Sequence, residues 1–282
     1  MSGRKLIRER FSLCLTMNAA GTCRLKPTVI YRAKKPRAYK RQDMNKLNVH
    51  WMTSKKGYMS AKLSQDWMKD TFIPQVKKFC SHNNIRFNIL LFLDKAPGHS
   101  PLLQTDPNIK VEFLPPNTTS LIQPLDQEVI SVVKAKYSKH QLRTLKDATK
   151  DDEVLQQLVD NSEEDDETSE EQVRADNEHE KQVLLYWKNY NIKNAVDLVV
   201  ECWDSITQRT INHGWRNLLE HLPEDRRGNV AGEPQSVQLE VDAAVAEARE
   251  IPGTGFDATT EDDIIDMIRP APPTTAELIE EE

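Results

Sequence analysis

The chain has 282 residues, enough for one or two domains, with 38% apolar and 29% charged residues. That balance is poor in core-forming side chains and implies a folded part accompanied by solvated segments. No apolar run approaches the roughly 20 residues of a membrane helix, so no membrane partner is expected. The net charge of −6 hides a split. Residues 1–150 hold 28 Lys+Arg against 10 Asp+Glu, a net of +18, and residues 151–282 hold 10 against 34, a net of −24. A basic half of this kind either meets polyanions or is neutralised by the chain's own acidic half.

In chain order, RFSLCLTMNAAGTCRLKPTVIYR at 10–32 predicts a hairpin, with Gly21 in the turn. A strongly basic loop, AKKPRAYKRQDMNK, follows at 33–46, and a short strand is expected at 48–52. Leu63, Trp67, Phe72, Val76 and Phe79 recur at helical spacing over 60–79, with a kink expected near Pro74. The run 87–94 reads as a strand buried on both faces, ended by Asp94 and turned by Pro97-Gly98. Residues 110–114 form another strand, stopped by Pro115-Pro116, and 125–145 a helix with Asp126 in its first turn. Beyond it lie an acidic linker, a helical stretch at 181–220 whose aromatics suit a core, and short helices at 237–249 and 261–268. The final residues, PAPPTTAELIEEE, are expected to fray.

Two carboxylates stand out. Asp94 sits at the carboxyl end of a buried strand, where open α/β sheets place their ligands, although Asp also begins ordinary turns. Asp126 opens a helix 32 residues later, where an acidic residue also suits the helix dipole. If the two converge, they can hold a hard divalent cation, Mg²⁺ or Mn²⁺, and a basic surface can hold a nucleic-acid backbone beside it. His99 and Lys95 are candidates to touch phosphate; Lys95 can also pair with Asp94. Cys14, Cys23, Cys80 and Cys202 form no CxxC, which disfavours disulfide and zinc scaffolds and suits a reducing compartment. The basic start MSGRKLIRERFSLCL has too interrupted an apolar part for a signal peptide.

LFLDKAPGH, followed by VEFLPPNTTSLIQPLDQEVI, resembles the Tigger/pogo branch of DDE transposases. AAGTCRLKPTVIYRAKKPRA, VHWMTSKKGYMS and QDWMKDTFIPQV are similar to it as well, and a looser likeness continues through NIKNAVDLVVECWDSITQRTINHGWRNL. The resemblance implies an α/β, ribonuclease-H-like fold in which three acidic residues bind two metal ions and cut DNA. Asp94 matches the second acidic position and Asp126 the third. The first belongs on an opening strand ahead of the hairpin; Glu9 and Asp43 are the nearest acidic residues and neither fits. The expectation is therefore an N-terminally truncated, incomplete domain that lacks its central first strand. Its second and fourth strands must pair directly or leave two edges open. Lys95 stands where the family usually has Asn.

The expected organisation is a partial endonuclease-like domain at 1–146, an acidic linker at 147–180, a helical extension at 181–220 and an acidic, largely disordered tail at 221–282. The expected function is a nuclear, transposase-derived DNA-binding protein without catalysis. Lys34, Lys35, Arg37, Lys40, Arg41, Lys95 and His99 would face the DNA backbone, and the acidic half would face protein partners. A metal-dependent nuclease or transposase using Asp94 and Asp126, and a decayed element product, are the alternatives.

Overall fold

The computed structural model describes residues 11–55, 57–96, 98–99, 106–150, 178–220, 233–253 and 255–268. Glu9, Pro97, most of the acidic linker and the terminal residues 269–282 lie outside the described residues. The chain divides into two compact units: Met1–Gln127 with Thr207–Pro234, and Glu128–Ile206 with Gln235–Glu282.

The first unit is mixed α/β. β1 (Ser12–Cys14) pairs antiparallel with β2 (Thr28–Tyr31), which pairs parallel with β3 (His50–Thr53). The β1–β2 connection is closed by Asn18, whose side chain accepts from Cys23 N–H at 2.9 Å, and by Gly21 at φ +69°. Gly21 is also pinned from outside, because a Cβ there would lie 2.6 Å from the Gln208 carbonyl. All four residues of β2 are buried, and Trp67 Nε1 donates to Thr28 Oγ1 at 3.0 Å beneath them.

α1 (Ala61–Trp67) starts at Ser60, which caps the Leu63 N–H. A π-helical turn, Met68–Phe72, then leads into α2 (Ile73–His82). The expected kink at Pro74 thus takes the form of a widened turn just before it. The ring removes an amide donor and crowds the carbonyl four residues back, and placing proline in the first turn of α2 relieves both.

β4 (Ile89–Leu93) pairs parallel with β5 (Ile109–Phe113) as a separate two-stranded sheet. Among the described residues β1 and β4 do not pair with each other, and each stands at the end of its strand order. The two sheets nonetheless share one hydrophobic cluster. Ile30 and Met52 from the first sheet and Leu91 and Ile109 from the second meet Trp67, Met68, Phe72, Val76 and Cys80. The expectation that β4 is buried on both faces is corrected: Leu91 is buried, whereas Leu90 is 52% exposed. An edge strand in a two-stranded sheet lacks the second covering layer that a central strand has.

The second unit is helical: α4 (Ile130–Lys150), α5 (Glu178–Asn189), α6 (Ile192–Asp204), α8 (Val237–Arg249) and α9 (Glu261–Ile268). Two further helices, α3 (Thr119–Ile122) and α7 (Gln208–Gly214), lie in the first unit. Asn191 and Asn194 form a reciprocal capping box at α6. Leu142, Leu145 and Ala148 of α4 pack with Tyr186, with Val241, Ala244, Val245 and Ala248 of α8, and with Ile264 and Ile268 of α9. Composition reads 221–282 as largely unstructured outside two short helices; those helices form with the expected bounds, and their apolar faces are core. Trp203 is fully buried as expected of a core aromatic, whereas Trp187 is 44% exposed.

Candidate metal and nucleic-acid site

Asp94 follows β4 directly, and the Leu114 N–H donates to Leu93 O at 2.8 Å to hold the two parallel strand ends together. The Asp94 carboxylate is already engaged. Its Oδ1 lies 2.7 Å from His99 Nδ1 and accepts from Ala96 N–H at 3.3 Å. His99 Nδ1 is also 3.0 Å from the Asp94 carbonyl, and His99 N–H donates to Ala96 O at 2.9 Å. Gly98 makes this turn possible: a Cβ there would sit 2.5 Å from Met59 O. Both partners of this contact are about one-quarter exposed, at 24%. The partner that Asp94 takes is thus His99; Lys95 points its charge into an exposed position.

Asp126 is held by a different scaffold. After β5 the chain turns at Asn117, a non-glycine residue at φ +61°, with Thr118 Oγ1 donating to Pro115 O at 2.7 Å. α3 follows, and then a π-helical turn, Leu125–Val129, carries Asp126. Glu128 in that turn also has a left-handed φ of +66°. Such a backbone costs of order 1 kcal/mol or more and needs outside support. Asn217 holds the residues that precede Glu128: its side-chain amide donates to Leu121 O at 3.0 Å and to Gln127 Oε1 at 2.8 Å. Gln127 Nε2 in turn donates to Ser120 O at 2.9 Å. The exposed Asp126 lines an open cavity of about 470 Å³ with Asn117, Thr119 and Ser120.

The sequence pattern does not reveal Asn217. Ninety residues separate it from Gln127, and nothing local marks it. It belongs to a segment that also reaches the hairpin, where Gln208 Nε2 donates to Ala20 O at 2.8 Å and Asn212 Nδ2 to Ala19 O at 3.3 Å. In the same segment Trp215 packs edge-on against Phe92 of β4, centroids 6.1 Å apart.

The basic loop is ordered by aromatic packing. Tyr39 is fully buried and lies edge-on to Trp51 at 5.5 Å, while Trp51 Nε1 donates to Ala33 O at 3.1 Å. With the loop anchored there, Lys34, Lys35, Arg37, Lys40 and Arg41 are all exposed. Asp43 is used locally, accepting from Asn45 N–H at 3.0 Å to cap a short 3₁₀ turn.

Carboxylate oxygens of the Asp94 and Asp126 kind suit Mg²⁺ or Mn²⁺. Against that, one Asp94 oxygen is committed to His99, and no three His, Cys, Asp or Glu side chains among the described residues are grouped to share a cation. As placed, the described residues do not fit a complete cation site. The cysteines do not offer another: all four are free thiols, and burial pushes Cys14 and Cys23 up to about 11 and Cys202 up to about 12.

A comparison with protein families matches residues 8–215 to the DDE superfamily endonuclease domain. Human Tigger transposable element-derived protein 7 is 34% identical over 227 residues, covering 78% of this chain and 37% of the relative. Human Jerky protein homolog is 27% identical over 130 residues, covering 45% and 23%. CENP-B homolog protein 2 of Schizosaccharomyces pombe is 26% identical over 146 residues, covering 48% and 26%. The chain therefore spans between about a quarter and two-fifths of the length of these relatives. No solved structure matches. The five strands of the α/β unit, the strand-end Asp94 and the Asp126 turn all lie inside the matched region, and this chain belongs to the DDE superfamily endonuclease family, among its Tigger-like transposase-derived members.

Proposed function

We propose that this chain is a nuclear, transposase-derived DNA-binding protein whose endonuclease site no longer cleaves. The observation that carries the reading is the anchored basic loop, with five exposed cations held on one short segment by the buried Tyr39. Exposed Lys and Arg bind phosphates by releasing counterions, which needs neither a metal nor base readout. The engagement of one Asp94 oxygen by His99 supports loss of cleavage. Lys95 and His99 remain phosphate contacts in this reading, and the acidic half remains the surface for protein partners. No helix of the described residues is long and apolar enough to cross a membrane.

The test is duplex-DNA binding by fluorescence anisotropy across a salt series. Charge reversal at Lys34, Lys35, Arg37, Lys40 and Arg41 is expected to weaken binding. It should also flatten the dependence of log K on log salt by about 0.9 for each phosphate that is no longer neutralised. An unchanged slope removes the loop from the DNA interface.

A further inference from the structure

The charge split allows two fates for the basic half, contact with polyanions or neutralisation by the acidic half. For α4 the structure shows a chosen fate. Lys136, Lys139, Lys146 and Lys150 recur at intervals of three, seven and four, which places them along one helix face. Glu240, Glu247 and Glu250, at and just beyond α8, recur at seven and three. The two rows match in order. Glu240 pairs with Lys136 at 3.2 Å and with Lys139. Glu247 pairs with Lys146, and Glu250 with Lys146 at 3.2 Å and Lys150 at 3.8 Å.

The pairs made by Glu240 and Glu247 are not loose surface pairs, whereas Lys150 and Glu250 are 51% and 60% exposed. The side chains of Lys136, Lys146 and Glu240 are 11%, 14% and 15% exposed, so salt screens them less than exposed charges. Burial alone would raise the Glu240 carboxyl; its hydrogen bonds to Lys139 and Lys136 outweigh that and hold it below its usual value. Val241, Ala244, Val245 and Ala248 fix the register by packing on Leu142, Leu145 and Ala148 of α4. α8 therefore presents to α4 what a nucleic-acid backbone would present, a spaced row of anions.

We propose that α8 is an intramolecular charge mask. It withdraws the lysine row of α4 from DNA and confines phosphate contact to cations elsewhere in the chain. The proposal rests on the DNA-binding reading above and deepens it, because it states which cations that reading must leave out.

The experiment uses the full chain with Glu240→Gln, Glu247→Gln and Glu250→Gln combined, in the same anisotropy salt series. Affinity is expected to rise about tenfold near 0.1 M salt, with a slope steeper by about three, one unit per phosphate newly engaged. Neutralising Asp257, Glu261 and Asp262 instead is expected to leave the slope unchanged; an equal gain there would reduce the effect to net charge and overturn the mask. An unchanged slope in a triple variant that still melts cooperatively also overturns it. A second variant, Lys146→Gln with Lys150→Gln, covers the case in which the triple variant fails to fold. In the otherwise native chain it leaves the slope unchanged if the row is masked, and a flattened slope overturns the proposal. Binding by the triple variant but not by the native chain keeps the mask and discards the basic-loop reading, and binding by neither discards both.

Discussion

Asp94 shows how far one residue can be read from its neighbours. Its position after an apolar run marks it as a strand-end carboxylate, and the structure places it directly after β4. Its partner was not legible: the sequence offers Lys95, and the structure supplies His99. The choice of His99 depends on a turn that closes only because Gly98 lets the chain approach Met59 O, and a contact across 39 residues leaves no local trace. The pair is one-quarter exposed and accepts one further backbone donor, so its removal should cost about 1 kcal/mol. Asp94→Asn should lower the melting temperature by about 2–4 °C. The combination with His99→Gln should cost little more than either change alone, since both disrupt the same contact. DNA affinity in Asp94→Asn should stay the same or rise slightly, because a negative charge is removed. Scanning calorimetry and anisotropy check the two parts, and a large loss of affinity would contradict phosphate-driven binding.

At the scale of elements, the strands and helices with a clean period were legible: the hairpin from Gly21, β5 before its proline pair, and the helices at 237–249 and 261–268. The elements that escaped are those set by distant contacts or by non-standard helical turns. The π-turn bearing Asp126 contains a left-handed Glu128, and Asn217 bonds to Gln127 within it; neither has a sequence signature. The packing of α8 on α4 was hidden for another reason: an acidic, proline-punctuated stretch reads as solvated until its lysine partners are known. That packing carries a pH prediction. The folded-state pKa of Glu240 is depressed from the usual 4.5, so its contribution is present above about that pH and is lost as pH falls through the lower folded value. Lys146 is raised above 10.5, chiefly by its hydrogen bond to Glu247, so its contribution holds below that pH and fades as pH rises through the folded value. Burial also lowers His50 and His140 from the usual 6.5, so both resist charging in the folded state. Melts followed by helical circular dichroism should be flat from about pH 7 to 9, begin to fall below about pH 6.5, and fall further below about pH 4.5. In Glu240→Gln the acid fall should be shallower, and an unchanged acid limb would contradict this role for Glu240.

For the whole molecule, the charge split of +18 and −24 is the feature from which most followed. Part of it is resolved within the helical unit, where carboxylates of the acidic half neutralise lysines of the basic half. In the α/β unit Lys34, Lys35, Arg37, Lys40 and Arg41 are exposed, which is what a phosphate-binding surface requires. The family was legible from the words around Asp94 and Asp126, and the family comparison supports it over residues 8–215. The grouping of the described strands into two small sheets was not legible, because edge pairing depends on how strands that share a core are spaced. The central claim is an endonuclease domain that retains DNA association without cleavage. It is tested most directly by incubating the purified chain with supercoiled plasmid and Mn²⁺ and resolving retardation and nicking on one gel. The account predicts salt-sensitive retardation with no nicked product above the protein-free control. Nicked plasmid that disappears with Asp94→Asn would contradict it.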